Sequence, residues 1–364
     1  MAQAQAHRRD REGGVGRVVK LCARLPALAA ALILLIIAHP ARADAVADFY
    51  KGRTLTVYIA SGPGGGYDAY GRLLAQHIVA HIPGQPQAVV ENMTGAGGRT
   101  LASFLYNKAP RDGTAIGILQ APLIMDPILA DAGGQAPLYD PLKFGWIGSL
   151  DQFTPMAVVW HTTGIHSIAE ANGREIKFGS SGGDVSERLY ANILNTMLGT
   201  DFVAVAGYSG SAEIALAMER GEIPAFVGWY WAGMKRTKPE WLEKNLVTVL
   251  VQFGITPNPE MKGVPFIMDL LPDDRDRQVV RVALSQLAMA RPFAAPPGIP
   301  PERLAALRAA FDATVKDAAF LADAQKQQLD ITPYRGEQID ALLKDIYATP
   351  PALVAQVKAA MAAH

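Results

Sequence analysis

Ile59-Ala60-Ser61-Gly62-Pro63-Gly64-Gly65-Gly66-Tyr67-Asp68 decides how this chain is read. An apolar run rich in β-formers (Leu55, Val57, Ile59) leads into it, and Tyr70, Leu73, Leu74, His77 and Ile78 follow at helical spacing. The stretch therefore predicts strand, loop and helix. Glycines leave backbone N–H groups uncovered by Cβ atoms, and the start of a helix adds unpaired donors at the positive end of its dipole. Such a loop holds an anion without a charged side chain. It is expected to form half of a ligand cradle.

Working outward, the same unit recurs. Thr54 to Ala60 reads as a strand and Asp68 to His81 as a helix; Gln87 to Asn92 is the next strand, followed by Met93-Thr94-Gly95-Ala96-Gly97-Gly98 and the helix Arg99 to Ala109. Thr114 to Leu119 gives a third strand. Further on, Lys177 to Gly179 closes a strand before Ser180-Ser181-Gly182-Gly183-Asp184 and the helix Ser186 to Leu198, and Phe202 to Ala206 leads through Gly207-Tyr208-Ser209-Gly210-Ser211 into a helix ending at Arg220. Strands alternating with helices of this length imply parallel sheets whose ligand sites lie at the carboxyl ends of strands. Two loops from each of two α/β domains facing one another describe a bilobal protein that closes around a solute. The chain is expected to cross between domains around Gly145 to Phe153.

Ahead of these units stands an address. Six basic residues lie within the first 24, Leu25 to Ala38 is almost wholly apolar, and Ala41-Arg42-Ala43 has the small-x-small pattern of a cleavage site. This is the layout of a secretory signal peptide over residues 1–43, cleaved after Ala43, with an apolar run of about 14 residues against the roughly 20 of a spanning helix. The whole chain balances 34 basic against 34 acidic residues; without the leader, 27 face 32. No nucleic-acid surface is implied. The single cysteine, Cys22, leaves with the leader, so stability must come from burial.

The motifs also carry a family resemblance. Ser61 to Asp68 with Arg72, Glu91-Asn92 before Gly95-Ala96-Gly97-Gly98, Pro110-Arg111-Asp112-Gly113-Thr114 and Tyr208-Ser209-Gly210-Ser211 resemble, in order, the motifs of the periplasmic receptors of tripartite tricarboxylate transporters, the Bug family. The resemblance runs from about Phe49 to the C-terminus and is specific over residues 54–119. It implies a type II periplasmic-binding-protein fold, with domain 1 formed from residues 44–150 plus 264–364 and domain 2, residues 151–263, inserted between them, in which backbone amides and hydroxyls of facing loops hold a ligand carboxylate. By position, the first-domain contacts would be Ser61, Gly62, Gly65, Gly66 and Tyr67, with Asp68 mainly organising the loop. The second-domain contacts would be Ser180, Ser181, Gly182, Tyr208 and Ser211. The implied partners are a small carboxylate solute and the membrane permease subunits, the protein acting as a monomer in the periplasm.

Two departures bear on selectivity. Asp184 and Val185 stand where the family has a further glycine and a small hydroxyl residue, and Asp184 either caps the following helix or favours an ammonium, hence a zwitterionic solute. In Val227-Gly228-Trp229-Tyr230-Trp231, strand geometry puts Trp229 and Trp231 on one face and Tyr230 on the other, so either the tryptophan pair or the lone Tyr230 lines the cleft as an aromatic wall, and the tryptophans are candidates for the core as well. Lys235 and Arg236 stand ready for a distal carboxylate or for solvent. Met289 to Pro301 reads as a proline-rich connection, and the helices after it, Arg303 to Asp317, Gly336 to Tyr347 and Pro351 to Ala363, carry no chemistry.

Enzymatic patterns are weak. Gly179-Ser180-Ser181-Gly182-Gly183 fits G-x-S-x-G, but the only histidine downstream is His364. Gly64, Gly66 and Ala69 fit a dinucleotide fingerprint with Glu91 ending the next strand, yet Asp68 would crowd a pyrophosphate. His77 and His81 share a helical face without a third metal ligand. No catalytic residue, cofactor or metal is expected. A ligand-sensing adaptor for a membrane sensor kinase is the other function compatible with the same fold.

Overall fold

Leu55, Val57 and Ile59 point to one side of strand β1 (Thr54–Ile59) and are fully buried, as suits a strand paired on both sides within its sheet. The computed structural model describes residues 40–129, 137–180 and 185–362; the leader as far as residue 39 lies outside them. Helix α1 (Pro40–Tyr50) comes first, so the expected cleavage pattern falls within its opening turn. After the glycine loop, α2 (Gly66–Ile78) buries Tyr70, Leu73, Leu74 and Ile78 on one face. Gly71 on that face lets helix and strand approach closely: a Cβ there would lie 2.7 Å from Ile59 Cδ1.

The first sheet has six strands in the spatial order β11 (Tyr334–Arg335), β4 (Gly145–Ser149), β10 (Pro292–Ala295), β3 (Ala115–Ile118), β1, β2 (Gln87–Asn92). The second has five, in the order β7 (Asp201–Ala206), β6 (Glu175–Ser180), β8 (Ala225–Tyr230), β5 (Pro155–Trp160), β9 (Val247–Gln252). Helices α3 (Arg99–Asn107), α4 (Val185–Leu198) and α5 (Ser211–Glu219) follow strands as the alternation requires. α6 (Trp231–Thr237) starts directly where β8 ends. The return segment contains α7 (Asp274–Leu284), and the C-terminal part adds α8 (Pro301–Thr314), α9 (Ala318–Lys326), α10 (Gly336–Tyr347) and α11 (Pro351–Ala362).

The sheets are mixed, where the alternation predicted parallel ones. β1 pairs in parallel with β2 and β3, but β10 runs antiparallel to both β3 and β4. In the second sheet β5 runs antiparallel to β8 and β9. The cause lies in the crossings. β10 re-enters the first sheet from the second and is threaded against its neighbours, so part of the expected proline-rich connection is a strand buried along its whole length. Its short Pro-Phe-Ala-Ala run has no period to announce it.

The two crossings bond to one another. Leu150 N–H donates to Arg291 C=O at 3.2 Å, Ala290 N–H to Asp151 C=O at 3.1 Å and Phe153 N–H to Leu287 C=O at 2.8 Å. A third segment joins them through Thr332 N–H to Leu150 C=O at 3.1 Å. The largest apolar cluster extends across the return segment, from Leu101 and Ile124 through Val280 and Ala283 to Leu189 and Tyr190. α11 packs on both α7 and α4, so the C-terminal helix contacts elements of both halves. Among the described residues no helix is long and apolar enough to cross a membrane.

Candidate functional site

The glycine loop leaves the carboxyl end of β1, and its shape is held from within by Asp68. The carboxylate accepts from Gly64 N–H at 2.9 Å, from Arg72 Nε at 3.0 Å and from Asn92 Nδ2 at 2.8 Å, while the same Asn92 nitrogen donates to Ser61 C=O at 2.8 Å. Arg72 also donates to Asn92 Oδ1 at 2.9 Å. Burial alone would raise the Asp68 pKa; the bonds from Arg72, Asn92 and Gly64 outweigh it and hold the group at about 2. Asp68 is 5% exposed and committed to the loop, so its expected organising role is the one its contacts describe, and the same bond withdraws the Gly64 N–H from any pyrophosphate.

What remains open is the start of α2. Its N-cap is Gly65, with no side chain capping the helix, so among the described residues its first N–H groups have no side-chain acceptor. Gly64 must be glycine because its φ is +85°. Gly65 is different: its φ is −85°, and a Cβ there would meet only the Gly62 carbonyl oxygen, at 3.9 Å. Gly62 likewise has a single neighbour, Thr94 Cγ2 at 4.0 Å. Neither backbone conformation nor packing demands glycine at these two positions. Bare, exposed backbone at the end of a strand is a surface for close approach by a ligand.

The predicted residues divide into several groups. Ser61, Gly62 and Asp68 belong to the loop network; Tyr67 is partly buried, and its hydroxyl accepts from Ala121 N–H at 3.2 Å. In the other half, Ser180 ends β6 fully buried, and its carbonyl accepts from Tyr208 N–H at 3.4 Å. Ser181, Gly182 and Asp184 lie outside the described residues. Ser211 opens α5 and is exposed. The donors beside it are engaged, since Ser209 N–H and Oγ both donate to Glu213 at 2.7 Å.

Trp229 as a ligand wall is corrected. It is 4% exposed, stacks on Phe226 at 5.1 Å between ring centroids and meets Trp241 edge-on at 5.5 Å. The expected strand continued through Trp231, but β8 ends at Tyr230 and Trp231 begins α6. The chain turns there, and Trp231 is partly buried against the apolar cluster that encloses Trp229. Trp231 Nε1 donates to Glu260 at 2.7 Å, and Lys235 pairs with the same carboxylate. His77 and His81 reach Asp323 and Asp317, each at 3.0 Å, pinning α2 to the α9 region. No cluster of three metal-type ligands occurs among the described residues.

A cavity of about 290 Å³ opens beside the start of α2. Of the residues singled out in the sequence, Gly66, Tyr230, Trp231, Lys235 and Arg236 lie on its wall; the crossing residues Asp151 and Phe153, together with Asp330 and Arg291, are others. Phe153 and Tyr230 lie 4.7 Å apart between centroids and form an aromatic face. Asp151 accepts from Thr332 Oγ1 at 2.7 Å, from Gln152 N–H at 2.8 Å and from Tyr70 OH at 3.4 Å. Its burial raises the pKa to about 6 despite Thr332, the Arg291 charge and Gln152, which act the other way. The Arg291 guanidinium carbon lies 4.5 Å from the Tyr67 ring centroid and 5.0 Å from those of Tyr70 and Phe153. Sequence reasoning passed over Arg291; the available signal was one cation inside the apolar run Ala288-Met289-Ala290-Arg291-Pro292-Phe293.

No family model and no curated protein matches the chain. Solved structures do. A TctC solute-binding protein from Polaromonas, solved without ligand, is 20% identical with a TM-score of 0.66, the match covering 84% of this chain and 99% of that one. An R. palustris protein solved with adipate is 21% identical with a TM-score of 0.50, covering 84% and 97%. Identity at this level speaks for architecture: the chain has the bilobal α/β fold of the TctC-type solute-binding proteins.

Proposed function

We propose that this chain is a periplasmic receptor that captures a small carboxylate-containing solute between two α/β units and presents it to a tripartite tricarboxylate-type permease. The observation that carries this is the uncapped start of α2, reached through Gly62 and Gly65, whose lack of a side chain nothing in the loop requires. Helix-start donors of this kind suit a carboxylate. The shared fold and the adipate held by the R. palustris protein support the same ligand class. The leader over residues 1–43, with cleavage after Ala43, supports export of a monomer to the periplasm, and the division at residues 150 and 264 supports two units hinged on the bonded crossings.

Mature protein isolated from a periplasmic fraction and examined by native mass spectrometry should carry, or on titration should acquire, one small organic acid per chain. Succinate and adipate are the first probes to titrate. A protein that binds no carboxylate, in either experiment, is not this receptor.

A further inference from the structure

Arg291 carries an unmet demand. It stands on the crossing strand, with its backbone N–H donating to Ser149 Oγ at 3.0 Å and its Nη1 to Ala290 C=O at 2.8 Å. Its Nε is buried and has no hydrogen-bond partner, and no carboxylate lies within 4.0 Å of the guanidinium among the described residues. The other partly buried arginines are answered: Arg308 pairs with Glu337 and Asp340, and Arg303 donates to Asp112 C=O at 2.7 Å. A buried donor on a cation left unpaired is costly, and the three rings around it offset only part of that cost.

Position makes the orphan informative. Arg291 lines the cavity beside Gly66, and a Cβ on Gly66 would lie 3.0 Å from its Nη2, so glycine there admits the guanidinium to the first residue of α2. The cation thus adds its charge to the open helix start. Tyr67, Tyr70 and Phe153 surround it with rings, and edge-on approach to its N–H groups is the mode that suits a planar carboxylate.

We propose that Arg291 is the charged anchor of the solute and takes its carboxylate in this cavity, with the apolar part of the molecule against Phe153 and Tyr230. This rests on the solute-receptor function proposed above and adds a side-chain cation to a grip otherwise made by backbone. Asp151, Glu260 and Asp330 line the same cavity, as do the cations Lys235 and Arg236; Lys235 pairs with Glu260, and among the described residues only Arg291 has a buried side-chain nitrogen without a partner.

The test titrates wild type, Arg291→Gln and Arg291→Lys with butanoate, 3-phenylpropanoate, succinate and adipate, and with the primary amide of each. A carboxylate should bind wild type, lose about 10–100-fold in affinity in Arg291→Gln and less in Arg291→Lys. Its amide should bind wild type at least tenfold more weakly, and the Arg291 Nε–H resonance should shift when the acid is added. Equal affinity of wild type and Arg291→Gln, or an unmoved Nε–H signal on saturation, overturns the anchor while leaving the receptor intact. Should Arg291→Gln fail to fold, an amide that binds wild type as tightly as its acid has the same force. Wild type that binds none of the four acids overturns both proposals.

Discussion

Asn92 donates from one nitrogen to two acceptors, Asp68 Oδ1 and Ser61 C=O, each at 2.8 Å. The end of β2 thereby holds the loop that leaves β1. Asn92→Ala should cost about 1–3 kcal/mol in urea unfolding, because it takes the Asn92 donor from the Ser61 carbonyl, removes one of the bonds to Asp68 and frees one Arg72 contact. Unchanged stability would show that the network is dispensable.

Asp68 should make the protein acid-sensitive. Its pKa is held at about 2, below the value near 3.8 in an unfolded chain, so its contribution is present above pH 4 and is lost as pH falls toward 2. The expected size is on the order of 1–2 kcal/mol, discounted because Arg72 is half exposed. Asp68→Asn should remove this part of the acid limb, as read from urea midpoints between pH 5 and pH 2.

Asp151 should act in the opposite sense. Burial raises its pKa to about 6, so the folded state favours the neutral acid; its contribution is complete below about pH 4 and is lost as pH rises through 6. Stability should fall by on the order of 2 kcal/mol across that window. Asp151→Asn, which keeps an acceptor for Thr332 and Gln152, should flatten the slope, and an unaltered slope in the variant would assign it elsewhere.

Trp229 and Tyr230 should separate stability from selectivity. Trp229→Ala empties a core site and should cost about 3–5 kcal/mol, while the milder Trp229→Phe should leave the order of ligand preference unchanged. Tyr230→Ala removes part of the cavity wall and should change that order. The measurements are thermal midpoints and a panel of organic acids by calorimetry.

Gly65→Val tests the open helix start. The backbone there is extended and the space is empty, so unfolding free energy should move by no more than about 0.5 kcal/mol. Binding of every ligand should nevertheless fall by at least tenfold, since the branched side chain covers the N–H groups. Normal binding in a folded Gly65→Val would place the grip elsewhere.

Local structure was legible wherever a period and a breaker agreed. β2 matches the expected strand at Gln87–Asn92 and α10 the expected helix at Gly336–Tyr347, because alternation or a 3.6-residue stripe ends there at glycine, proline or a loop. β4 and β10 were not legible: Gly-Trp-Ile-Gly-Ser and Pro-Phe-Ala-Ala are short and buried on both faces, which erases alternation. Trp229 stood between cleft and core, since alternation assigns residues to two faces of β8 without saying which face meets the core.

The sequence by itself determined the strand, glycine loop and helix units and the chemistry of their helix starts, because these depend on residues within about ten positions of one another. Only the tertiary structure decided which side chains meet in the cavity. Tyr70 reaches Asp151 across 81 residues and the Asp330 carbonyl across 260, and Arg291 comes to Gly66 because β10 returns between β3 and β4. Contacts at that separation are set by the order of crossings between two sheets, which no local pattern encodes.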